Sequence, residues 1–231
     1  MKKFIALISF IIFNSCSINP VTGEQDFVLM SENQEIALGK KHHAQVLQQT
    51  PAYKDKDLQD YVQSIGESLS LNSHRPNLFY RFTVLDSPDI NAFALPGGYI
   101  YINRGLMAYL SSEEELAAVL GHEIGHVTAR HSVRQYSQSQ LMGILSAAVQ
   151  MNSGRTAGDI VNVASGALLA GYGREMELEA DNLGAQYLYK DGYSTNGMMN
   201  VLSVLKDQEI YSKELAKKRG EEPKNYHGIF V

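Results

Sequence analysis

The strongest constraint on this chain lies between Leu116 and Val127, where nearly every residue is apolar or small, yet two histidines and a glutamate are set among them. Ser111 and Ser112, followed by Glu113, Glu114 and Glu115, offer two overlapping capping boxes and an acidic first turn, so a helix begins here. At about 100° per residue, Leu116, Leu120, Ile124 and Val127 form one stripe, and Ala118, Gly121 and Gly125 occupy much of the rest. A helix that is apolar almost all round is a buried one. Burying His122, Glu123 and His126 on it is costly unless something satisfies them.

His122 and His126, four residues apart, share a helix face at a spacing that suits a tetrahedral zinc. Glu123 beside them can reach a water next to the metal and serve as general base. With 7 histidines in 231 residues, the expected number of chance occurrences of this pattern is on the order of 0.01. A catalytic zinc takes three protein ligands and keeps a fourth position for water, so a third ligand must lie elsewhere. It cannot be a thiolate cluster, because Cys16 is the only cysteine. The segment Arg174 to Asp181 opens another helix, on which Glu177 and Asp181 share a face. Glu177 can bind the metal, and Asp181 can hold the free ring nitrogen of a ligand histidine. The alternative is that the acids here only complement a helix N-terminus.

The length and the composition, 44% hydrophobic and 19% charged, predict one globular catalytic domain. A formal charge of -5 without a dense Lys/Arg cluster leaves no footprint for a phosphate backbone, which excludes nucleic acid as a partner. Residues 1–15, with Lys2-Lys3 before the apolar stretch Phe4 to Phe13, predict an export signal too short to span a bilayer. Residues 16–30 carry turn formers without a period and read as an extended tether. Helices are expected from Ser31 towards Gln48 and over Lys56 to Leu71, with His42 and His43 as solvated surface and His74 as loop surface. Phe79 to Leu85 reads as a strand, and Asn91 to Ile102 as a hairpin turning at Pro96-Gly97-Gly98. Its proline implies an edge, which either pairs with a peptide substrate as an added strand or merely packs. The apolar runs 141–151 and 157–170 read as helices packing on the motif helix, membrane insertion being the lesser alternative.

Ser15-Cys16-Ser17 resembles a bacterial lipoprotein box, which implies lipid attachment at Cys16 and, without an aspartate after it, the outer membrane; an ordinary secretory signal is the alternative. The joint pattern of His122-Glu123-x-x-His126, Arg174-x-x-Glu177-x-x-Ala180-Asp181, and Asn91-Ala92-Phe93 with Pro96-Gly97-Gly98 resembles peptidase family M48, and Asn19-Pro20-Val21-Thr22-Gly23 resembles its periplasmic lipoprotein members. The resemblance implies an α+β fold: a mostly helical, gluzincin-like zincin domain over residues 31–231, with a small sheet whose edge strand flanks the active-site helix. It implies one Zn2+ per chain held by His122, His126 and Glu177, catalysis by Glu123, Asp181 behind the ligands, and substrate contacts at Asn91, Ala92, Phe93, Gly97 and Gly98. The implied activity is metalloendopeptidase cleavage of unfolded or misassembled envelope proteins, in the periplasm of a bacterium. Members continue past a Tyr-His-Gly segment, here Tyr226-His227-Gly228, into a His-Pro and a later arginine, so a domain shortened at its C-terminal end is expected. His131 and Arg174 are then the groups left to stabilise an oxyanion. Two rivals are a non-proteolytic envelope chaperone with a structural or latent zinc site, and an integral-membrane protease using residues 141–170.

Overall fold

Ser31 accepts a hydrogen bond from Gln34 N while the Gln34 side chain returns to Ser31 N, so helix α1 (Glu32–Gln49) starts at a complete capping box. This is a computed structural model, and it describes residues 16–150 and 171–220, with the backbone alone for Cys16 and 143–150. The expected export signal, the apolar run 157–170 and Tyr226-His227-Gly228 lie outside the described residues. Helix α2 (Lys56–Leu71), capped by Asp55, turns Val62, Ile65 and Leu69 inward.

Strands β3 (Arg81–Leu85), β4 (Ala92–Leu95) and β5 (Tyr99–Asn103) form a sheet in the order β3-β5-β4. β5 runs parallel to β3 and antiparallel to β4. The β4–β5 turn needs Gly97 and Gly98 at φ 77° and 91°, where a side chain would be strained. The outer edge of β3 is closed by side chains of α2. Gln59 pairs with both the N–H and the C=O of Val84, and Gln63 accepts from Phe82 N and donates to Tyr80 O. Two amides one helical turn apart thus stand in for a missing strand. β4 is the other edge, and it packs beside the central helix.

That helix, α4 (Glu113–Thr128), follows the short α3 (Arg104–Met107) and is capped by Ser112. It is buried from Glu115 to Thr128, among α2, β4, α6 (Arg174–Asp191) and α7 (Asn196–Arg219). Between α4 and α6 lies α5 (His131–Gln150). The fold is therefore α+β and mostly helical. None of the described helices is long and apolar enough to cross a membrane.

Four local expectations are corrected. The segment read as a tether is a docked hairpin, β1 (Cys16–Ile18) against β2 (Gln25–Phe27). Asn19 builds its turn, accepting from Val21 N and Thr22 N and donating to Asp26, and Ser137 and Arg130 hold the hairpin through Leu29 N and Ser17. His43 is half-buried rather than solvated surface: it stacks on Tyr99 and meets Tyr101 OH at 2.6 Å. His74 likewise meets Tyr187 OH at 2.7 Å. Helix α5 begins at His131, well before the apolar run at 141.

Candidate metal centre

Helices α4 and α6 can approach closely because small residues face each other. A Cβ on Gly125 would lie 2.8 Å from Ala180 O, and one on Gly184 would lie 2.9 Å from His122 N. This approach carries Glu177 onto the histidine face. The Nε2 atoms of His122 and His126 are 2.9 Å apart, with Glu177 Oε2 3.4 Å from the first and 3.8 Å from the second. All three residues are buried, and their ligand atoms lie within 4.8 Å of one another.

Glu123 Oε1 and both carboxylate oxygens of Glu177 are buried and accept no hydrogen bond from the described residues. Leaving such oxygens unsatisfied is expensive, and a cation between the two rings and the carboxylate removes that cost. Two imidazoles and a carboxylate form a donor set that suits zinc. The residues present therefore fit the metal that the pattern implies.

The surroundings orient the rings. His122 Nδ1 meets Asp181 Oδ1 at 2.8 Å. His126 Nδ1 meets His131 Nδ1 at 2.8 Å, and Tyr172 stacks on the His126 ring with centroids 4.0 Å apart. Burial works against charge on His122, but the carboxylate of Asp181, hydrogen-bonded to its ring, and that of the neighbouring Glu177 outweigh it and raise its pKa to about 9. At His126, burial, then the charges of His122 and His131, push the pKa well down. Burial also lifts Glu123 to about 8, with His122 opposing and Glu177 adding to the rise.

The expected substrate contacts fare differently. Gly97 and Gly98 are buried; a Cβ on Gly97 would strike Ile36 Cα at 2.8 Å and one on Gly98 would strike Phe79 O at 2.3 Å. They serve the turn and its packing. Ala92 is buried in the core, Phe93 is half-buried and stacked on Tyr101, and Asn91 O accepts from Asn103 N. His131 lies behind His126, on the Nδ1 side and opposite the Nε2 atoms, so it does not face an oxyanion; Arg174 is exposed at the start of α6. Sequence reasoning missed Tyr172, which read only as part of a Gly-Tyr-Gly helix boundary, and Glu179, which meets His131 Nε2 at 3.0 Å.

A profile described as peptidase family M48 matches residues 56–227. The chain is 31% identical over 204 residues to the beta-barrel assembly-enhancing protease of Yersinia pestis, covering 83% of this chain and 42% of that protein. It is 30% identical over 195 residues to the protein of the same name from Escherichia coli (strain K12), covering 79% and 40%. It is also 32% identical over 145 residues to metalloprotease YcaL of Escherichia coli (strain K12), covering 61% and 56%. The chain thus spans about two fifths of the length of the first two relatives. Since the profile covers most of the chain, this chain belongs to peptidase family M48.

Proposed function

We propose that the chain is a zinc metalloendopeptidase of the bacterial envelope, in which His122, His126 and Glu177 hold the metal, Glu123 is the general base and Asp181 orients His122. The observation that carries this is the convergence of two ring nitrogens and a carboxylate beside buried oxygens that accept no hydrogen bond from the described residues. Among the described residues the group has three donors, the number of a catalytic zinc rather than of a structural site closed by four. Zinc held there would polarise a peptide carbonyl and lower the pKa of water towards about 7. Glu123 then takes the proton from the attacking water at its carboxylate and passes it to the leaving amine. Its burial lifts its own pKa, and a cation beside it draws that pKa back towards the range of a base.

The substrates are unfolded or misassembled envelope proteins, in keeping with relatives whose name refers to β-barrel assembly. Residues 1–15 direct export, and a lipid on Cys16 attaches the protein to the outer membrane from the periplasmic side. The hairpin next to Cys16 packs as part of the folded unit. Equilibrium dialysis against zinc tests the centre: one ion per chain is expected, lost in Glu177→Ala. Undiminished zinc binding by that variant contradicts the ligand set.

A further inference from the structure

His126 and His131 are five residues apart, and on an unbroken helix their side chains would point about 140° from each other. They meet because the helix breaks between them: Arg130 takes the left-handed conformation at φ 55°, and α5 starts afresh at His131. That conformation is strained for a non-glycine residue and persists only where the surroundings hold it. Here Arg130 Nε donates to the buried Glu35 at 2.9 Å, Nη1 to Ser17 Oγ at 2.6 Å and Nη2 to Met30 O at 3.1 Å. The turn aims the His131 ring at the back of His126.

We propose that His131 and Glu179 form a positioning relay for His126, fixing which of its ring nitrogens carries the proton; this rests on the metallopeptidase reading above. With its Nε2 lone pair turned towards the metal position, His126 must carry its proton on Nδ1. That N–H donates to His131 Nδ1 across 2.8 Å, so His131 holds its own proton on Nε2. The Nε2–H in turn donates to Glu179 Oε2 at 3.0 Å. An ionised carboxylate can only accept, so Glu179 sets the direction of the whole chain. Arg134 keeps that acid in place, donating to the same oxygen at 3.0 Å while its Nε lies 3.8 Å from Asp26 of the docked hairpin. The two histidines on α4 are thus oriented by different means: His122 meets Asp181 directly, and His126 reaches its acid through a second, fully buried imidazole.

The test compares zinc affinity, by competition with a chromophoric chelator, in the whole chain and three variants. His131→Phe keeps the ring volume and removes the acceptor, and zinc should bind about 10–100-fold more weakly. His131→Asn places an amide oxygen near the Nδ1 position and should recover most of the loss, which a merely space-filling role does not predict. Glu179→Ala, at a half-buried site, carries the test where His131→Phe fails to fold; it should weaken zinc and abolish the Nε2–H form of His131 in ring-nitrogen NMR. A folded His131→Phe or Glu179→Ala that binds zinc as tightly as the wild type overturns the relay alone. A wild type that takes up no zinc overturns the metallopeptidase reading and the relay with it.

Discussion

Gly125 of the motif helix and Ala180 of the helix bearing Glu177 approach so closely that a Cβ on Gly125 would lie 2.8 Å from the Ala180 carbonyl oxygen. Backbone, not a flexible side chain, blocks that space. Gly125→Ala should therefore force the helices apart at a cost of about 1–3 kcal/mol in urea unfolding. Glu177 should retreat from the histidines in the same variant, so zinc affinity should fall as well. Unchanged affinity in a destabilised variant would show that helix approach does not set the centre.

Asp181 should act on the metal through His122, whose Nδ1 it meets at 2.8 Å. Asp181→Ala should weaken zinc binding by about 10–100-fold while leaving one site per chain. Chelator competition reads the loss directly, and an unaltered affinity would remove Asp181 from the account.

Glu35 is buried and receives two arginines, Arg75 at 2.7 Å and Arg130 at 2.9 Å. Removing it leaves both guanidinium groups without their shared acid, so Glu35→Ala should cost about 3–5 kcal/mol. Glu32, the exposed partner of Arg75, is the control, and Glu32→Ala should cost under about 1 kcal/mol. Comparable losses in the two would contradict the assignment.

Glu113 accepts hydrogen bonds from Tyr61 and Tyr193, each at 2.8 Å, and these hold its carboxyl below the usual range. Burial, then the bond to Glu113, raises Tyr61 to about 12, so the phenol stays protonated throughout the acid range. A depressed folded pKa gives stability that is present above the unfolded value of about 4.3 and is lost as the pH falls through the lower folded value. The melting-temperature gap between wild type and Tyr61→Phe/Tyr193→Phe should thus be open at pH 7 and narrow in acid. A gap independent of pH would refute this.

Much of this architecture was legible because its signals are local. Ser31 and Gln34 announce a helix start, Lys56 to Leu71 is a helix at both expected ends, and Pro96-Gly97-Gly98 turns a hairpin. The meeting of Glu177 with the two histidines follows from paired four-residue spacings on two helices. What stayed hidden depends on contacts distant in sequence. Nothing local to Arg130 marks it for a left-handed turn; Glu35, Ser17 and Met30 impose it, and the partnership of His131 with His126 exists only because of that turn. Asn19 to Gly23 looked like a loose segment because its anchors, Ser137 and Arg130, lie more than a hundred residues away.

The central claim is that Glu123 moves the proton beside a metal held by its neighbours, and the most direct measurement is casein cleavage by the zinc-loaded chain against Glu123→Gln. The variant should retain one zinc per chain and lose cleavage by about 10²–10⁴-fold. Undiminished cleavage by Glu123→Gln at full zinc occupancy would contradict the account.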